Sequence, residues 1–242
     1  RVAEWLVKNA NGKTKIIQLE GTTGSSPAND RKKGFDDAIT AAGGLVDIAT
    51  TGVGTLTAGG AIATSGGNVT LNSQDALAVN GGITAGAGTV GLLANQDGAG
   101  AQGFSQADAT TIAGTGITVT VNTAAGTGTG AAVVSNLTDA GTLTIKTNNT
   151  ANDAGGSITR TATSTLGATT AVNLTTGTGD IGAAGTEINL AAGQTGVVAT
   201  THGAQQDRQR DAGSQTLTAS TAAGGRRDIT TTSVGTLTAG GA

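Results

Sequence analysis

The chain has 242 residues, with 13 Lys+Arg against 16 Asp+Glu and a formal net charge of −3. It carries 42 Gly but only 1% aromatic residues, and no Cys or Met. That balance excludes a dedicated nucleic-acid binder, which needs a basic face to displace phosphate counterions, and the missing Cys excludes a disulfide scaffold.

A core built from many large apolar side chains is not available to this composition, because Trp5, Phe35 and Phe104 are its only aromatics. Each buried Leu or Phe contributes roughly 1.5–3 kcal/mol. Order is therefore expected mainly from backbone pairing and small stacked side chains. No run approaches the ~20 apolar residues that span a bilayer. Arg1 opens a helix-like stretch rather than a leader, so the chain reads as an internal fragment.

Residues 1–39 differ from the rest. They hold Arg1, Lys8, Lys13, Lys15, Arg31, Lys32 and Lys33, together with the only Trp and the only Pro. Arg1–Asn11 is expected to be an amphipathic helix, with Val2, Trp5 and Leu6 on one side and Gly12 ending it. Lys15–Glu20 is expected to be a short buried strand, followed by a Gly/Thr/Ser loop. Asp30 is a good N-cap for a second helix through Ile39. Helix, strand, loop and helix make a piece of an α/β layer.

The run KIIQLEGTTGSSPANDRKKGFDDAI carries Gly21, Gly24, Ser25, Ser26, Arg31, Gly34 and Phe35. It resembles the ribose-type periplasmic sugar-binding proteins, in which a strand leads into such a loop and then an Arg before a Gly-Phe pair. The resemblance implies that Arg31 is a sugar contact, a role suited to the fixed donors of a guanidinium. It covers only about 39 residues. The bland reading of Arg31 is a solvated charge at a helix start.

From Thr40 a different text begins. Residues 40–61, TAAGGLVDIATTGVGTLTAGGA, recur at 221–242 as TAAGGRRDITTTSVGTLTAGGA. The pairs that differ are Leu45/Arg226, Val46/Arg227, Ala49/Thr230 and Gly52/Ser233. The recurrence and the resemblance meet at the same boundary. A junction near Ile39–Thr40 is expected, arising from a natural fusion, an engineered join or an error in assembling the sequence.

Within 40–242, Ile48, Val69, Val90, Ile112 and Val133 fall about 21 residues apart, and a period in the twenties points to a solenoid. Ile117, Val119 and Val121 alternate with Thr118, Thr120 and Asn122, and Leu143 and Ile145 with Thr142, Thr144 and Lys146. That is the period of a strand with one buried face. Gly pairs such as Gly59–Gly60 and Gly81–Gly82 supply corners.

The expected fold is all-β: a parallel β-helix of roughly 21-residue rungs, preceded by the short α/β-like fragment. Small Val, Ile, Leu and Ala point inward, and Thr and Asn stack outside. Nine or ten rungs at the ~4.8 Å strand spacing give a length of about 45 Å. The rival is a β-sandwich, which needs no regular rung and usually carries larger core aromatics.

Phrases such as GTLTAGGAIATSGGNVTLNS resemble filamentous-haemagglutinin-like and autotransporter-type bacterial surface proteins. That resemblance implies export, a β-helical shaft and adhesion. It carries no binding residue over.

Chemistry is sparse. His202 is the only His, so a His/Cys metal cluster cannot form, and a polar loop is its expected place. Asp75, Asp97, Asp108, Asp139, Asp153 and Asp180 are expected in turns. The Gly126–Gly130 run lacks the Lys of a phosphate loop. Gln205–Asp211, with Arg226 and Arg227, is expected to be a solvated loop or a partner surface.

The expected function is a structural or adhesive segment of a secreted bacterial surface or fibre protein, not an enzyme, with no cofactor and no catalytic or metal residues. Its expected partners are copies of itself or further repeats, and host or cell-surface glycans. Nucleic acid and a membrane span are not expected. Alternatives are a carbohydrate-binding module and an ice-binding face built on Thr55/Thr57, Thr142/Thr144 and Thr161/Thr163.

Overall fold

The computed structural model describes residues 45–122, 126–147, 155–194, 196–201, 206–211, 215–221, 226–231 and 237–239. The α/β-like fragment expected over 1–39 and the junction near Ile39–Thr40 lie outside them. Among the described residues every regular element is a strand and none is a helix.

The chain climbs in turns. The first has β1 (Val46–Ala49), β2 (Leu56–Ala58) and β3 (Ile62–Ala63). The second has β4 (Val69–Asn72), β5 (Leu77–Val79) and β6 (Ile83–Thr84). The third has β7 (Val90–Ala94), β8 (Phe104–Gln106) and β9 (Thr111–Gly114). The fourth has β10 (Ile117–Val121), β11 (Ala132–Val134) and β12 (Asn136–Asp139). The fifth has β13 (Thr142–Lys146), β14 (Ile158–Arg160) and β15 (Leu166–Ala168). The sixth has β16 (Ala171–Thr175) and β17 (Ile188–Leu190), and a single parallel bridge from Ile181 to Ile158 replaces its middle strand. Then follow β18 (Val197–Thr201), β19 (Gln206–Asp211), β20 (Gln215–Thr221), β21 (Arg226–Thr231) and β22 (Leu237–Ala239).

Stacking the turns makes three sheets. A nine-stranded sheet runs β1-β4-β7-β10-β13-β16-β18-β20-β22, a five-stranded sheet β14-β11-β8-β5-β2, and an eight-stranded sheet β21-β19-β17-β15-β12-β9-β6-β3. Neighbouring strands in all three are parallel. This is the expected β-solenoid, with six three-sided turns. Among the described residues the antiparallel pairing of a sandwich is confined to one bridge, Ala183 to Thr186.

Alternation decides what faces inward. In β10, Ile117, Val119 and Val121 are buried while Thr118 and Thr120 are not. Registers then align like with like: Leu71 faces Leu92, Leu92 faces Val119, Val119 faces Ile145, Ile145 faces Leu174 and Leu174 faces Ala199. All six are buried. Phe104, the one aromatic among the described residues, is also in this core. The columns compensate for the scarcity of large side chains, since each residue packs on the rung below and the rung above.

The rungs are less regular than a fixed period of 21 implies. Val69 faces Val90, 21 positions on, but Val90 faces Ile117, 27 on, and Leu143 faces Val172, 29 on. The extra residues sit at one corner, between β7 and β8, β10 and β11, and β13 and β14. Ile112 and Val133, which continue the count of 21 in the sequence, belong instead to the eight-stranded and five-stranded sheets. With strands spaced ~4.8 Å, the nine levels of the longest sheet span about 38 Å.

The recurring phrase returns on a different side. Val46–Ala49 lies in the nine-stranded sheet, while its counterpart in β21 lies in the eight-stranded sheet. Leu56–Ala58 lies in the five-stranded sheet, and its counterpart Leu237–Ala239 in the nine-stranded one. The cause is path length: after the sixth turn the described strands alternate between two sheets, so the chain regains the nine-stranded sheet one side early.

Candidate functional surface

The corner that holds the extra residues is the most constructed part of the molecule. Asn95 and Asn122 directly follow strands β7 and β10 and adopt positive φ, 54° and 68°. Asn tolerates that left-handed backbone better than most residues. Both side chains are fully buried. The Asn95 Nδ2 donates to Asn122 Oδ1 at 2.6 Å, and Asn122 Nδ2 donates to the carbonyls of Thr147 at 2.7 Å and Gly130 at 3.2 Å. The Gly130 amide returns a bond to Asn122 Oδ1 at 3.1 Å.

The loops themselves stack. The Thr127 amide donates to Gly98 O at 2.8 Å, the Thr129 amide to Gly100 O at 2.7 Å, and the Gly156 amide to Gly130 O at 3.0 Å. The GTGTG run is thus a layer in this stack. Glycine is needed at Gly130, where a Cβ would lie 2.0 Å from the Gln102 carbonyl oxygen.

Ser73, Thr147, Thr176 and Thr201 are also buried beyond the ends of, or at the ends of, nine-stranded-sheet strands. The expectation that Thr and Asn stack outside therefore fails at this corner. Chain leaving a strand exposes amides and carbonyls to the interior, and a buried peptide group needs a partner. Side-chain amides and hydroxyls supply part of it.

The acidic residues do corner work, each separately. Asp75 accepts from the Gly54 amide, and Asp97 Oδ1 accepts from the Ala99 amide at 3.0 Å. Asp139, buried, accepts from the Ile117 amide and from the Gly141 amide at 2.6 Å. The Asp180 amide donates to Ser157 Oγ at 3.0 Å. Among the described residues no group of three His, Cys, Asp or Glu could hold a metal ion. Arg31, Asp153 and His202 lie outside the described residues.

Asp108 differs in reach. Its Oδ1 accepts from the Thr163 amide at 3.0 Å and the Thr163 hydroxyl at 2.8 Å, 55 residues away, tying the third turn to the fifth. The Thr163 amide, followed by hydroxyl bonds, lowers the Asp108 pKa from 3.8 to about 2. A carboxylate with a depressed folded pKa stabilises above its unfolded pKa, and that contribution is lost as pH falls through the folded one. Carboxyl-carbon NMR is expected to place its midpoint near 2. Asp108→Asn is expected to speed exchange of the Thr163 amide at neutral pH, with no change in the β-sheet spectrum.

The three Thr pairs do not share a face. Thr57 is in the five-stranded sheet, Thr142 and Thr144 are in the nine-stranded sheet, and Thr161 and Thr163 follow β14. Along the nine-stranded sheet the outward column runs Thr70, Gly91, Thr118, Thr144, Asn173, Val198. Gly91, Asn173 and Val198 interrupt its hydroxyls.

Gln206–Asp211 is strand β19 rather than the expected loop. Its backbone register sets Asp207 opposite Arg227 and Arg208 opposite Asp228. At the other end of the solenoid the first turn is thinly covered. Leu45 is 49%, Ile48 44% and Val53 87% exposed, although Ile48 occupies the inward column below Leu71.

No helix of the described residues is long and apolar enough to cross a membrane. No family model matches the chain, and no solved structure matches it. Among curated proteins, it is 54% identical over 39 residues to the galactofuranose-binding protein YtfQ of Escherichia coli (strain K12). That stretch is 16% of this chain and 12% of the relative, so the chain spans a small part of the length of the protein it matches.

Proposed function

We propose that this chain is a structural, adhesive segment of a secreted bacterial surface or fibre protein that associates with copies of itself end to end. The supporting observation is the pair of sheet edges at the two ends. Among the described residues no strand pairs with the outer edge of β1 or of β22. Unpaired strand edges are templates for further strands, and the turn at the β1 end carries exposed Leu45, Ile48 and Val53. Parallel stacking of the sheets supplies a stiff shaft, and glycans on a cell surface are the external partner this reading names.

Light scattering across a concentration series tests it. Average mass is expected to rise with concentration while the β-sheet spectrum holds; a folded chain that stays monomeric throughout removes the reading. The short match to a galactofuranose-binding protein supports a second reading, a carbohydrate-binding module. Calorimetry with free galactofuranose and ribose tests the second reading: saturable heat is expected of the module, and no heat with either sugar removes it.

A further inference from the structure

The recurring phrase has a seat on the second turn, and its second copy, which pairs with β19 and β20 in its own chain and must leave them, is a second occupant for that seat. Residues 45–58 of the first copy sit on the second turn through β1 on β4 and β2 on β5. We propose that the seat is exchangeable: residues 226–239 of one chain displace residues 45–58 of another and pair with β4 and β5 of that second chain. This deepens the proposed self-association and rests on it.

The contacts that hold the first copy are almost independent of the positions that differ. The amides of Val46, Thr50 and Leu56 donate to the carbonyls of Asn68, Asn72 and Ala76, each at 2.9 Å. These are backbone bonds that any residue but proline makes. Two further bonds use the Thr50 hydroxyl, which accepts from the Gln74 amide at 2.9 Å, and the Gly54 amide, which donates to Asp75. The second phrase keeps both residues, as Thr231 and Gly235.

The differing positions tolerate the change. Leu45, Ala49 and Gly52 are exposed, and a Cβ built on Gly52 meets nothing within 4 Å. These positions face solvent, where the Arg, Thr and Ser of the second phrase replace exposed residues and not buried ones. Val46 alone is half-buried, and Arg227 at that place keeps the aliphatic stem that covers apolar surface.

The resident copy is also weakly held. No residue of β1, β2 or β3 is fully buried, whereas β4 alternates buried and half-buried residues. Strands with few buried contacts open first. The exchange as proposed covers residues 45–58 only, so β3 keeps its own pairing with β6.

Cysteine pairs test the exchange, since the chain has none of its own. Asp47 faces Thr70 in the register of β1 on β4, and Asp228 is its counterpart. Paired positions on adjacent strands fall inside the roughly 4.4–6.8 Å Cα separation of a disulfide. Within one chain, Asp228 and Thr70 are six levels apart, about 29 Å at the ~4.8 Å strand spacing. The variant Asp228→Cys with Thr70→Cys is therefore expected to form covalent dimers and longer ladders on mild oxidation. Their yield should rise with concentration, and peptide mapping should recover the 228–70 link.

Asp47→Cys with Thr70→Cys is expected to close within one chain, which confirms that the geometry permits the bond. Asp228→Cys alone measures random thiol pairing. A double variant that dimerises no more than that single one, or that closes internally, overturns the exchange. If light scattering still shows association in that case, the structural reading stands with a different contact; if it does not, both fall.

Discussion

Replacing Asn122 by alanine is expected to destabilise the solenoid by about 4 kcal/mol, among the largest effects of any single side chain. The side chain is fully buried and serves the Gly130 amide, the carbonyls of Gly130 and Thr147, and the Nδ2 of Asn95. Truncation leaves these groups inside without water, and each buried unsatisfied group costs roughly 1–3 kcal/mol. Alanine is also strained at a φ of 68°, a region open mainly to Gly and Asn. Asn122→Gly separates the two contributions: it relieves the backbone but not the hydrogen bonds, and should recover about 1 kcal/mol. Denaturant melts followed by β-sheet circular dichroism check both. Equal stability of the alanine variant and the parent chain would show that the corner does not need its asparagine.

The variant Leu92→Ala is expected to cost about 3 kcal/mol, within the usual range for a leucine removed from a packed core. Leu92 is fully buried and stacks on Leu71 below and Val119 above. The core of each turn of a solenoid packs chiefly on its neighbours, so a weakened interface loosens the coupling of the parts on either side. The melt of Leu92→Ala should therefore broaden or split as well as shift. Ile48 occupies the same column but is 44% exposed, and Ile48→Ala should cost under about 1 kcal/mol. A similar loss from both would mean that β1 is as well covered as β7.

Particular residues show what the sequence made legible. The alternation of Ile117, Val119 and Val121 with Thr is a local consequence of the pleat, and those side chains are buried as that pattern requires. The level to which a residue belongs is not local. Ile112 keeps the spacing of 21 yet lies on another side, because the loop between β7 and β8 absorbs residues that no period records.

The corner shows the same limit. Asn72 is half-buried within β4 and Asn95 fully buried beyond β7. Nothing in the residue type separates them; the difference is a left-handed turn and a longer loop to line. The Gly98–Gly100 and Gly126–Gly130 runs are the remaining trace, since only glycine allows backbone to approach backbone so closely. The strand at Gln206–Asp211 is obscured in the sequence because every residue is polar or charged, which leaves no apolar alternation to reveal a face.

The two copies of the recurring phrase occupy different sheets, and this has a geometric corollary. In any array that continues the pattern, each new copy is indexed one facet away from its predecessor, and only every third copy regains the starting facet. A receptor approaching from one direction would then meet a given facet at long intervals, so that contact spacing along the array is set by the facet count as well as by copy length.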